Sequence, residues 1–240
     1  MENAKLFNLS SLILAPVFLL QGKWVRFRTT KLPEPDGDRA GVSGKGDELR
    51  VMIAGDSAGA GVGVPEQSLA LSGQLALSLS HSYQVTWQLH AKDGDTSSQL
   101  LSRLQSLPKQ QYDYVVLSIG VNDVTKQTSS GQWRTNIQAI IELLQQKFAV
   151  KGILFTAIPP VHQFPALPNP LRWWLGQRAS KLNHLLEKVC AQHKGVSFEA
   201  IPFPFDATLM ASDGFHPGKQ AYQVWGQYMA QRIDQLTTEA

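Results

Sequence analysis

The sequence predicts an α/β protein in which a sheet of about five parallel strands lies between two layers of helices. Short apolar runs suited to strands buried on both faces alternate with longer stretches whose apolar residues recur every three to four positions. This alternation continues unbroken from about residue 48 to the end of the chain, with no internal repeat and no low-complexity tract. Residues 48–240 therefore read as one three-layer α/β/α domain.

LRVMIAG, residues 49–55, is the first strand. From Pro65 the pattern turns helical, with Leu71, Leu75 and Leu79 four apart, and YQVTWQLH returns to alternation with Val85, Trp87 and Leu89 on one face. Strand, helix, strand is the signature of a parallel βαβ unit. Thr96 is placed to cap a helix carrying Leu100, Leu101, Leu104 and Leu107, and YVVLSIG follows as a third buried strand. Trp133, Ile137, Ile140, Ile141, Leu144 and Phe148 define the next helix, GILFTAIP the next strand, and Leu182, Leu185, Leu186 and Val189 another helical stripe. A weaker strand, GVSFEAI, precedes a last helix with Tyr222, Trp225, Met229 and Ile233. In parallel sheets of this kind ligands bind beyond the carboxyl ends of the strands, so chemistry is to be sought just after each one.

Of the 240 residues 43% are hydrophobic and 17% charged, which excludes both a disordered chain and a polytopic membrane protein. A net charge of +3 is too weak to imply nucleic acid. Cys190 is the single cysteine, so no intrachain disulfide can form, and its helical setting after Val189 suits a buried thiol. His81, His90, His162, His184 and His193 lack ligand spacing, so no metal and no cofactor are expected. A monomer is expected.

Residues 1–30 form an apolar leader. Its core, LFNLSSLILAPVFLL at 6–20, is broken by Asn8, Ser10, Ser11 and Pro16 and falls short of the roughly 20 residues a spanning helix needs unless the flanks are recruited. It is similar to a signal h-region, yet QGKWVRFR follows instead of a small-residue cleavage site. The readings are a membrane anchor, an interfacial helix, or a helix packed on the domain. Lys23, Arg26, Arg28 and Lys31 follow the stretch and, for an anchor, would keep the domain on the cytoplasmic side; periplasm or secretion is the alternative. Residues 31–47, rich in Pro, Gly and charge, read as a linker.

Two polar clusters stand at the ends of the strand pattern. GDSAG places Ser57 at a strand-to-helix turn, where glycines at 55 and 59 permit a tight backbone; alone, Ser57 reads as a helix cap or a turn serine. SDGFHPG sets Asp213 and His216 three apart before a helix that Pro217 can begin. A serine hydroxyl needs a base to become a nucleophile, histidine is the side chain best suited near neutral pH, and a carboxylate fixes its tautomer.

GDSAG, DGDTS, SIGVND and DGFHPG, in that order, resemble the four sequence blocks of the SGNH (GDSL-type) hydrolases, over roughly residues 48–236. The resemblance implies a flavodoxin-like fold and a serine esterase or lipase with Ser57 as nucleophile, His216 as base and Asp213 as its orienting acid. It also implies an oxyanion hole made by the backbone N–H groups of Ser57 and Gly94 and the side-chain amide of Asn122. Asp123 reads as structural. The chain departs from the family at Ala58, where the leucine of the GDSL motif would stand, and at Ala91 and Lys92 before the second block.

GDSAG also satisfies the G-x-S-x-G elbow of α/β-hydrolases, esterases or thioesterases among them, but there the serine follows a later strand. A phosphate loop fails because Val64 stands where its last glycine belongs. A silent, membrane-tethered binding module of the same fold is the remaining rival. Asp56, Phe164, Trp173 and Trp174 are candidates for substrate contact, the last three lying in PPVHQFPALPNPLRWWLG after the fourth strand. That segment is expected to wall an acyl pocket or touch lipid, for a small-molecule or lipid ester.

Overall fold

The computed structural model describes residues 2–202 and 206–238, with backbone alone for residues 2–12 and 207; parts of the leader and of the 48–240 region lie outside the described residues. The elements are α1 (Glu2–Arg28), β1 (Ala40–Ser43), β2 (Asp47–Gly55), α2 (Ser57–Ala60), α3 (Leu71–Leu79), β3 (Tyr83–Ala91), α4 (Ser97–Ser106) and β4 (Tyr114–Ser118). They continue as α5 (Val121–Thr125), α6 (Ser130–Lys147), β5 (Gly152–Thr156), α7 (Leu171–Cys190), β6 (Val196–Glu199) and α8 (Lys219–Thr238).

Strands β2 to β6 are parallel and β1 is antiparallel, in the order β1-β3-β2-β4-β5-β6. The five parallel strands thus follow the flavodoxin-like winding, whose direction reverses between β2 and β4. Alternate side chains of the buried strands feed two cores. Met52 and Ala54 of β2, Val115 and Leu117 of β4 and Phe155 of β5 pack under α4, α6 and α7. Val51 and Ile53 of β2, Val116 of β4 and Leu154 of β5 pack under α3 and α8 with Tyr222 and Trp225. Cys190 is buried, and that burial pushes its thiol up to about 12. Helix α3 begins at Leu71, later than the pattern from Pro65 suggests, because Gln67 is buried and its amide is held by Ala60 O and Ser72 Oγ in a preceding turn.

The stretch read as a linker contains a strand. Ala40 to Ser43 pair antiparallel with β3, Ala40 opposite Gln88 and Val42 opposite Thr86. A four-residue edge strand with Val42 exposed shows no apolar period, which is why composition marks it as linker. The same stretch also holds the turn after β3. Glu34 accepts from Asp93 N at 2.8 Å, and Arg39 pairs with Glu34 at 2.9 Å and donates to Ala91 O.

No helix among the described residues is long and apolar enough to cross a membrane. Polar residues interrupt the apolar run and cations follow it. Instead α1 lies on α7. Phe18 stacks on Trp174 at 4.9 Å between ring centroids, and Gln21 donates to Asn169 O at 2.7 Å while accepting from Leu171 N at 3.0 Å. That last bond satisfies one of the open N–H groups at the start of α7.

Candidate active site

The site is assembled where β2, β3 and β4 end. Gly55 takes φ +152, and a Cβ there would lie 1.9 Å from Ser118 O, so only glycine lets β2 leave the sheet this close to β4. Asp56 N then donates to Ser118 O at 2.9 Å, and Asp56 Oδ1 caps α2 by accepting from Ala58 N at 3.2 Å. Capping therefore falls to Asp56, and Ser57, first residue of α2, keeps its hydroxyl for another partner.

That partner is His216, 159 positions away in the chain, whose Nε2 lies 3.0 Å from Ser57 Oγ. His216 Nδ1 is 2.5 Å from Asp213 Oδ2, while Asp213 Oδ1 accepts the N–H groups of Phe215 (2.9 Å) and His216 (3.0 Å). With Nδ1–H donated to the carboxylate, Nε2 is the acceptor facing the hydroxyl. Burial alone would raise Asp213, but hydrogen bonds from the His216 ring and from the two backbone N–H groups outweigh it and hold the carboxyl below its usual range. The two chain segments touch closely: at Gly63 (φ +115) a Cβ would meet Pro217 O at 2.2 Å.

Asp56 is the opposite case. Burial pushes it to about 7, against the lowering effects of the Ala58 N–H and of His216. In the unfolded chain it would ionise near 3.8, so between about pH 4 and pH 7 the folded protein holds a proton that the unfolded chain has released. Stability is thus lost as pH rises through that window, by at most about 4 kcal/mol, and is level above it. Asp56→Asn keeps the cap and removes this ionisation. Its stability relative to the parent, from urea titrations, is expected to improve steadily from pH 4 to pH 7; a difference independent of pH would refute the buried proton.

Gly94 lies on the turn after β3, and Asn122 lies in α5, which begins just after β4. Gly94 has φ +82 with nothing within 4 Å of a Cβ, so its backbone is open to an approaching group. Its carbonyl accepts from Lys126 Nζ at 2.8 Å, and Asn122 Nδ2 donates to Asp95 O at 3.1 Å, tying the two segments together and leaving the second amide hydrogen of Asn122 available. Lys92 N binds Gly55 O at 3.1 Å, which joins the β3 loop to the serine turn. Asp123 is buried and accepts from Ser97 N (2.8 Å) and Ser97 Oγ (2.7 Å), bracing α5 against α4.

A cavity of about 460 Å³ opens from Ser57 and His216 across the ends of β4, β5 and β6, and its wall is mostly apolar. Asp56 and Phe164 line it with Ile119, Ile158, Phe215 and Trp225. Trp173 and Trp174 do not line it: Trp173 faces outward and Trp174 is buried against Phe18. Trp174 falls in helical register with the buried Leu171 and Leu182, a signal that marks it as packing. His162, Asn183 and Trp225 were missed as cavity residues. Trp225 reads as plain helix core, and nothing local in sequence shows that its helix also borders the cavity.

An imidazole within 3.0 Å of a hydroxyl and backed by a buried carboxylate can take the hydroxyl proton and hold the resulting charge. The sequence signature of the GDSL-like lipase/acylhydrolase family matches residues 53–224, most of the chain. The chain belongs to that family and is a hydrolase of carboxylic esters. It is 24% identical over 190 residues to an arylesterase of Vibrio mimicus, covering 77% of this chain and 88% of that protein. Among solved structures it is similar to TesA (TM-score 0.62, 22% identity, covering 78% of this chain and 99% of that one). It is also similar to Est24, a carbohydrate acetylesterase from Sinorhizobium meliloti (TM-score 0.55, 16% identity, 78% and 99% covered).

Proposed function

We propose that the protein cleaves its ester through an acyl-enzyme. Ser57 Oγ attacks the acyl carbon while His216 Nε2 takes the hydroxyl proton and passes it to the departing alcohol; water then repeats the exchange to release the acid and restore the serine. Asp213 holds the imidazole in the tautomer this requires. Negative charge on the carbonyl oxygen is received by the N–H groups of Ser57 and Gly94 and the free amide hydrogen of Asn122. The 3.0 Å approach of His216 Nε2 to Ser57 Oγ carries this reading.

The apolar cavity beside the serine supports an acyl group that is itself apolar, so the substrate is an ester of a lipid-like or short aliphatic acid. Its volume lies within the range of sites that enclose small ligands. A serine-directed phosphonate is expected to label Ser57 alone, located by peptide mass, and labelling should vanish in His216→Ala. Modification at any other serine would overturn the assignment. A series of nitrophenyl esters should show a chain-length optimum that shifts to shorter acids when Ile158 or Phe164 is enlarged.

A further inference from the structure

Helix α1 carries two apolar lines. Leu14, Phe18 and Val25, with Gln21 among them, face the domain and are buried or half-buried. On the outward side stand Ile13, Val17, Leu20, Trp24 and Phe27, spaced four, three, four and three apart, and all are exposed, Phe27 at 90%. Five large apolar side chains in register along one helix face are a continuous patch rather than the scattered exposure usual on a surface.

At 100° per residue, Lys23 borders this line on one side, with the exposed Leu19 and then Arg26 further round, and Arg28 borders it on the other, with its guanidinium 5.1 Å from the centre of the Trp24 ring. Between Ile13 and Pro33 there is no acidic residue, while Lys23, Arg26, Arg28 and Lys31 are all cationic. An apolar strip bordered by long cationic side chains, whose stems can lie along it with their charges outward, has the pattern of a helix lying in a membrane interface. We propose that α1 docks the protein flat on an anionic phospholipid surface through Ile13, Val17, Leu20, Trp24 and Phe27, with the four cations meeting lipid phosphates. A second copy fits the strip poorly: a parallel two-fold contact would bring both sets of cations together, and an antiparallel one about Leu20 would set Lys23 and Arg26 against the uncharged residues 14–17, with no acidic partner in either case.

The docked face adjoins the candidate active site. Trp24, Val25 and Arg28 share a cleft with Pro165, Ala166 and Asp213. Ala166 N donates to Gly214 O at 3.3 Å, and Phe164 packs edge-on against Phe215 at 5.0 Å on the cavity wall. Docking therefore sets the loop that walls the cavity beside the lipid. The docking itself does not rest on the ester reading.

The test is sedimentation of the full chain with vesicles of phosphatidylcholine alone and of equal parts phosphatidylcholine and phosphatidylglycerol. Binding is expected to the anionic vesicles, at least about tenfold weaker to the neutral ones, and weakened by salt. Leu20→Ser/Phe27→Ser and Lys23→Glu/Arg26→Glu should each reduce it by about tenfold or more. Both variants should hydrolyse a water-soluble nitrophenyl ester as the parent does, which separates a docking defect from misfolding. Absence of binding to anionic vesicles, or binding unmoved by both variants, would overturn the proposal. So would a concentration-dependent dimer of the parent that Leu20→Ser/Phe27→Ser abolishes.

Discussion

Ser57→Ala is expected to slow ester hydrolysis by about 10⁴-fold or more, His216→Ala by a similar factor, and the double variant no further than either single. In the proposed mechanism nucleophile and base act as a unit. Without the hydroxyl the imidazole has nothing to activate, and without the imidazole the hydroxyl is a weak nucleophile near neutral pH. What survives in either variant is water attack aided by the oxyanion donors, which is why the losses do not add. Ser57 is small, so Ser57→Ala should unfold near the temperature of the parent; His216 packs edge-on against Phe215 and holds the buried Asp213 carboxylate, so His216→Ala should also lower the unfolding temperature. If the double variant proved far slower than both singles, or if Ser57→Ala kept a tenth of the activity, the proposed roles would fail.

Asn122→Ala should lower kcat by about a hundredfold or more while KM changes little, since a donor aimed at the oxyanion strengthens only as charge develops on that oxygen. The substitution also removes the bond from Asn122 Nδ2 to Asp95 O. Asp95 is held independently by Arg103 at 2.8 Å, so the loop should keep its course. Asn122→Asp, like alanine, loses both the bond to Asp95 O and the oxyanion donor. It preserves the shape but sets a carboxylate beside the developing charge, and it should be at least as slow as Asn122→Ala. Loss in KM alone, with kcat intact, would mean that Asn122 binds substrate without supporting the oxyanion.

Much of this architecture is legible in sequence because the parallel strands are buried on both faces, and the helices between them keep apolar periods. LRVMIAG lies within β2, which begins two residues earlier at Asp47, and YVVLSIG and GILFTAIP contain β4 and β5. Because such strands deliver their next residues to one edge of the sheet, Ser57, Gly94 and Asn122 could be placed at neighbouring loops before any coordinates. The closeness of Ser57 and His216 follows from the switch in winding between β2 and β4, together with the packing of Gly63 on Pro217, which no local pattern announces. Less of the rim was legible. Trp173 and Trp174 sit in a proline-rich apolar segment, and composition alone does not say which of its side chains turn inward. The dry setting of Asp56, which raises it to about 7, likewise depends on contacts from distant parts of the chain.

The short strand β1 has a consequence for any shortened form of the protein. A version trimmed to the region from residue 48 onward would lose the backbone that pairs with Val85 to Gln88 on one side of β3. The backbone donors and acceptors that this segment turns toward β1 would then face the solvent, a ready template for another chain to add to. It would lose Glu34 and Arg39 as well, which hold the turn leading to Gly94. Freedom from edge pairing and the shape of the turn before Gly94 therefore depend on the same ten residues, 34–43, ahead of the first parallel strand.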